Sequence, residues 1–247
     1  MQIFEPFIWG FDDLEAIFFM TLLLLLYFAD IPYLGNEVPF YLCRMTRKIW
    51  LAGQVVYIVC ATAIYTVVIL LSTILICGQR CYVGNIWSET AVKLAFTSAG
   101  KKLSLAASEK TLELTRPYAC MTTIFFLLFA YALVMVLLIF WFRILWNELV
   151  GMIAGVVFNG ISFIFSPGVL QKLLGISERK SYLANVAAGW ISPLSHATYH
   201  LHNFGYDRLP SLRDSGIYDM VLVIVLILLN LYSIRTYHFV FDGTGER

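Results

Sequence analysis

No charged side chain occurs between Lys48 and Arg80. A spanning helix needs about 20 apolar residues to cross a hydrocarbon core about 30 Å thick, so this single run is long enough with residues to spare. Pro117 to Phe142 is a second uncharged run of the same kind. A soluble domain would have to hide both. Of the 247 residues, 60% are apolar and 13% are charged, and mean hydropathy is +0.78. Left exposed to water, that much apolar surface would aggregate. Disorder is excluded as well, because disordered chains are polar and poor in aromatics, whereas 16% of this chain is Phe, Trp or Tyr. The sequence therefore predicts an all-α, polytopic membrane helical bundle. Continuous apolar runs, rather than alternating ten-residue segments, argue against a β-barrel.

Five spans are visible, at about 14–30, 49–77, 117–142, 149–166 and 217–235, within one transmembrane domain covering 1–247. The first and last are short and must extend past their charged ends. Trp50 suits an interface, as do Tyr218 and Tyr232. Pro117 fits a first helical turn, and Ser166-Pro167-Gly168 should break the fourth span. Residues 1 to 15 carry Glu5, Asp12, Asp13 and Glu15 and no Lys or Arg, the opposite of the basic start of a secretory signal peptide. The sequence shows no internal repeat.

Net charge is +1, which gives no electrostatic footprint for nucleic acid. Charge alone leaves the orientation open. Whole-loop counting of Lys and Arg favours one direction, and the cations nearest the helix ends (Arg44, Arg47, Lys48, Arg143, Arg235) favour the other.

The chain lacks a P-loop, H-E-x-x-H and G-x-S-x-G. No ionisable residue lies in the middle of a predicted span, which lowers the expectation of an ion-coupled carrier. Asn159 and Asn230 are expected to hydrogen-bond between helices. Three stretches stand out. Arg44, Arg47 and Lys48 are spaced i, i+3, i+4, so a helix over Pro39–Lys48 would put them on one face, either as an anchor on anionic lipid or as a docking surface. Trp190 to Asp207 contains Pro193, His196, His200, His202 and Asn203. Its apolar content is enough to dip into a membrane and too small to cross it, and Ser192-Pro193 should break any helix there. Histidines are metal ligands, but these three do not share a helical face, and a hydrogen-bonded His196 is the expectation. Cys77, Cys81 and Cys120 share one side of the membrane, where a disulfide requires an oxidising environment.

Four stretches together resemble the permease subunit of Firmicutes-type bacterial ABC transporters, in the exporter-type class with six-span halves: Glu5-Pro6-Phe7-Ile8-Trp9; Ala29-Asp30-Ile31-Pro32-Tyr33 leading to Pro39-Phe40-Tyr41 and Arg44-x-x-Arg47-Lys48-x-Trp50; Leu114-Thr115-Arg116-Pro117-Tyr118; and Ser192-Pro193-Leu194-Ser195-His196-Ala197 through Asp207. The resemblance covers nearly the whole chain. It implies a further span ahead of Glu5, so that five are visible where the pattern has six. It implies that the first-to-second and third-to-fourth connections face the cytoplasm, where Arg44, Arg47, Lys48, Arg143 and Trp146 couple to an ATPase. It makes Ser166 to Asp219 an outer re-entrant loop, with Trp190, Pro193, His196, His202 and Asn203 at its turn. The implied partners are a separate P-loop ATP-binding subunit, a second permease chain and membrane lipid. The implied cofactors, ATP and Mg, belong to the partner, and this chain holds none. The implied function is export of a peptide, drug or lipid-like substrate across the bacterial plasma membrane. Two other readings remain: a membrane-integral metal-dependent enzyme built on the outer-loop histidines, and an assembly or sensor subunit.

Overall fold

A computed structural model describes residues 1–32, 44–78, 81–97, 109–205 and 207–237. The described residues form eleven α-helices and two short 3-10 turns, and their only bridge pairs Gln2 with Tyr82. In chain order the helices are α1 (Glu5–Phe11), α2 (Leu14–Tyr27), α3 (Arg47–Cys77), α4 (Glu89–Phe96), α5 (Glu109–Leu114), α6 (Pro117–Leu145), α7 (Glu148–Ile164), α8 (Pro167–Leu173), α9 (Ser181–Ile191), α10 (Pro193–Ala197) and α11 (Leu212–Ser233).

Helix starts follow local chemistry. Asp13, Thr46, Ser88, Asn147 and Ser192 each accept a backbone N–H of the first turn they precede, which satisfies donors the helix itself leaves open. Ser211 and Asp214 form a reciprocal capping box at the head of α11. Proline opens α6, α8 and α10, where its missing N–H costs nothing.

Three helices, α3, α6 and α11, are long and apolar enough to cross a membrane. The pair α7 and α8 qualifies as a fourth, bent by 72° at the expected Ser166-Pro167 break. Helix α2 has 14 residues and rises about 21 Å at 1.5 Å per residue, short of a full crossing. The described residues thus give three spans, or four with the bent pair, where the sequence predicts five.

Helix α6 is the central post: 61% of its apolar window is buried inside the protein, against 22% for α3 and for α11. It packs against α11, α7, α3, α1, α2 and α10. The outer faces of α3 and α11 expose Val56, Leu75, Ile76, Met220 and Tyr232, a surface suited to lipid. The fold is therefore a membrane-embedded all-α bundle.

Small residues set how closely α7 approaches. At Gly151 an added Cβ would meet the Ile139 carbonyl oxygen at 2.9 Å, and at Gly155 it would meet Leu25 Cδ2 at 2.6 Å. Gly151 lets α7 approach the α6 backbone, and Gly155, four residues on, leaves room for the Leu25 and Ile139 side chains. Gly155→Val should therefore cost about 1–3 kcal/mol through overpacking, read as a lower unfolding midpoint in detergent. The same change at Gly160, where nothing lies within 4 Å, should be nearly silent.

Asn159 and Asn230 hydrogen-bond between helices as expected. Asn159 Nδ2 donates to Thr21 Oγ1 at 2.7 Å and its Oδ1 accepts from Tyr131 OH at 2.9 Å, joining α2, α7 and α6. Asn230 Nδ2 donates to the Leu137 carbonyl at 3.3 Å. Trp50 is buried and stacks on Tyr237, Tyr218 stacks on His196, and Tyr232 is exposed. Other expectations need correcting. The last long helix begins at Leu212, ahead of the charges read as its boundary, so Asp219 lies inside α11 and is 2% exposed. Arg143 likewise lies inside α6, 4% exposed. Two ionisable groups are thus buried in long helices, Arg143 in the last turn of α6 and Asp219 near the start of α11.

Candidate functional site

The two ends of the bundle differ in chemistry. At the first, arginines hold helix ends together. Arg143 donates to the carbonyls of Phe28 (3.2 Å), Ala29 and Ile31, just where α2 stops. Arg47 donates to the carbonyls of Ile234 and, at 2.6 Å, Arg235, at the end of α11. Carbonyls left over at a helix C-terminus carry partial negative charge, so a guanidinium there is well matched.

This placement revises the basic segment. Residues 39–43 lie outside the described residues. Thr46 is the cap of α3, so Arg44 sits in a turn ahead of the helix, while Arg47 and Lys48 begin it. The three cations therefore do not share one helical face. Arg44 and Lys48 are exposed, whereas Arg47 is engaged with α11. Of the two residues expected at the α6–α7 turn, Arg143 is inside the protein and Trp146 is 63% exposed.

At the opposite end, α1 and the 81–97 segment are joined by Glu5, which is 0% exposed. Its carboxylate accepts from Ser88 N (2.7 Å), Ser88 Oγ (2.7 Å) and Gln2 N (3.0 Å). Sequence reading placed Glu5 in a stretch carrying the resemblance and gave it no partner. Lys110 on α5 pairs with Asp207 and donates to the His202 carbonyl at 3.0 Å.

The segment from Trp190 to Asp207 turns twice. Helix α9 ends at Ile191 and α10 starts at Pro193, as Ser192-Pro193 predicts. The Leu194 N–H next to this break donates to Ser162 Oγ of α7 at 3.0 Å, a partner sequence reading did not name. Trp190 is 48% exposed, and its indole donates to the Arg208 carbonyl at 3.2 Å. Asn203 holds its own loop, with Oδ1 accepting from Gly205 N at 2.7 Å and Asp207 N at 3.2 Å.

The three histidines separate into two sites. His200 Nδ1 meets Asp12 Oδ1 at 3.1 Å, and its backbone N–H donates to the same oxygen at 2.7 Å. His196 and His202 converge on Ser215 of α11, each with a ring nitrogen 2.8 Å from its Oγ. Both rings are buried, and burial lowers both pKa values, that of His202 to about 4. Among the described residues no group of three or more His, Cys, Asp and Glu is placed to hold a metal ion. Cys77, Cys81 and Cys120 are free thiols, as is Cys60.

Beside this cluster lies a cavity of about 390 Å³ between the bent α7–α8 pair and α9–α10. Phe163, Phe165, Pro167, Ala188 and Leu209 form apolar walls, and Ser162, Ser192, Ser195 and Asn185 add polar groups. Apolar walls with a few polar groups suit an amphipathic molecule.

Burial lowers the His200 pKa, but the hydrogen bonds and charge of Asp12 outweigh it and leave the value above the ordinary one. Burial raises Asp12. For a raised histidine, the contribution to stability is complete below its unfolded value, about 6.5, and is lost as pH rises through the folded value. The difference in unfolding midpoint between the natural chain and His200→Gln should therefore be largest near pH 6 and shrink toward pH 9. A constant difference would remove the ion pair from the account.

Comparison with protein-family models, with curated proteins and with solved structures finds no match for this chain.

Proposed function

We propose that this chain is the multi-pass permease subunit of an ATP-driven ABC transporter in the bacterial plasma membrane. It performs no chemistry of its own. A separate P-loop subunit hydrolyses ATP, a second permease chain completes the path, and the cargo is a peptide, drug or lipid-like molecule. The observation that carries this reading is the broken α7–α8 helix folded with α9 and α10 around a cavity at one end of the bundle. Irregular backbone at membrane depth is tolerated only where protein buries it or where it lines a cavity. The opposite end offers Arg44, Lys48 and Trp146 as exposed groups for a cytoplasmic partner.

Orientation and docking are tested separately. With the native cysteines removed, a cysteine at Ser177 should react with an impermeant thiol reagent in intact cells, and one at Thr46 should not. The reverse pattern would place the basic end outside and end the docking assignment. Arg44→Gln with Lys48→Gln should weaken ATPase association about tenfold, at about 0.2–1 kcal/mol per exposed charge pair, without lowering the unfolding midpoint. Unchanged association would reduce these two cations to lipid anchors.

A further inference from the structure

The bridge from His196 through Ser215 to His202 is short of one proton. Ser215 Oγ stands 2.8 Å from His196 Nδ1 and 2.8 Å from His202 Nε2. The other nitrogen of each ring faces a backbone carbonyl, Trp190 O at 3.2 Å for His196 and Tyr199 O at 3.1 Å for His202. A carbonyl only accepts, so those nitrogens carry the ring hydrogens. A neutral imidazole has a single N–H, which leaves both nitrogens aimed at Ser215 as bare acceptors. The hydroxyl can donate to one of them. The other contact then sets two lone pairs against each other. Exchanging tautomers does not help, because the two neutral rings and the hydroxyl supply three protons to four contacts. One further proton on either ring completes the set: that ring donates to Ser215 Oγ, which donates onward to the second ring.

A second, independent feature lies one helical turn away. Asp219 follows Ser215 by four residues on α11, which places the two side chains on the same face. It is 2% exposed, and neither carboxylate oxygen has a hydrogen-bond partner. An isolated buried carboxylate is costly, and an adjacent positive charge offsets that cost.

We propose that His196, Ser215, His202 and Asp219 form one proton-binding site that takes up a single proton from the aqueous phase at the α10 end of the bundle. With the proton on Asp219, the carboxyl is neutral and the bridge lacks one hydrogen bond. With the proton on the bridge, all four contacts are hydrogen bonds, and Ser215 at its centre lies one helical turn from the Asp219 carboxylate. The four groups titrate together, so the proton belongs to the set.

On α11, Asp214 lies on the same helix as Ser215 and favours charge on His196, Arg213 lies beside it, and the Tyr218 ring stacks on His196 with centroids 4.2 Å apart. Helix α6 brings Tyr131 and Cys120, both buried. His196 and, after it, His200, which bonds Asp12 at the end of α1, oppose charge on His202, and Lys110 of α5 donates to the His202 carbonyl. Helix α9 contributes the Trp190 carbonyl, and α7 contributes the Ser162 hydroxyl that already serves Leu194. Burial disfavours charge on both rings, and Asp219 is the buried, unpartnered carboxylate one turn from Ser215 that can offset that cost.

The site extends beyond the proposed transport function and does not depend on it. Nitrogen-15 NMR of the full chain in lipid nanodiscs reads each imidazole's tautomer and charge directly. The chain has 4 histidines, so single replacements assign the signals. In the natural chain, one of the His196 and His202 rings should become imidazolium in one transition between pH 8 and pH 5. Asp219→Asn should weaken proton binding at least tenfold, a downward shift of about one pH unit. Ser215→Ala should split the coupled transition into two separate ring titrations. Rings that stay neutral down to pH 5 in the natural chain, or a midpoint unmoved by Asp219→Asn, would overturn the proposal. The first of these outcomes needs no variant to fold.

Discussion

Arg143→Met should lower stability by about 3 kcal/mol, from hydrogen bonds to a charged group that contribute about 1.5–3 kcal/mol each and do not add fully. The apolar stem is retained, so the loss isolates the guanidinium. Three carbonyls, those of Phe28, Ala29 and Ile31, lose their donor at once, and the C-terminal end of α2 loses this tie to α6. Arg143→Lys keeps the charge with a single nitrogen, which lacks the fork of a guanidinium, and should recover only part of the loss. Equilibrium unfolding in mixed detergent measures both. A midpoint for Arg143→Met within about 0.5 kcal/mol of the natural chain, the ordinary range for surface changes, would show that the end of α2 is held by something else.

A loss of similar size is expected at the other end. Glu5→Ala removes the acceptor shared by Ser88 N, Ser88 Oγ and Gln2 N. Each orphaned buried donor costs about 1–3 kcal/mol, and two of these three are backbone N–H groups with few alternatives. A total of about 3 kcal/mol is expected. Glu5→Gln keeps one acceptor oxygen and should lie between the two. Because Glu5 joins α1 to the 81–97 segment, hydrogen exchange at Ser88 and Ala91 should quicken in Glu5→Ala before the spans lose protection. Unaltered exchange there would contradict the tether.

Sequence made the apolar architecture legible because membrane burial is written in long uncharged runs. Helices α3 and α6 match the expected spans closely, and the breaks at Ser166-Pro167 and Ser192-Pro193 fall where proline geometry puts them. Charges misled the reading near two helix ends. Arg143 resembled a surface cation because its three carbonyl partners lie more than 110 residues away in the chain. Asp219 resembled a helix boundary, yet the capping box at Ser211 starts α11 two turns earlier. The apolar run before Asp30 suggested a full crossing, but the helix ends where Arg143 captures its carbonyls. The histidines were legible as a group and not as a geometry. Their sorting to Ser215 and Asp12 depends on α11 and α1, contacts that no local spacing encodes. Glu5 opened a stretch that carries the resemblance, but nothing near it in the chain signalled Ser88 as its partner.

The central claim is that the exposed groups at the arginine-clamped end receive a separate ATPase. A photo-crosslinking amino acid placed at Lys48, and in a second experiment at Trp146, tests it in the native membrane. Both positions are exposed and neither carries a helix-clamping arginine. The account predicts that light yields an adduct with a P-loop ATPase from both positions, and none from the same probe at Ser177 at the far end. Absence of an ATPase adduct from Lys48 and Trp146, or its appearance at Ser177, would contradict it.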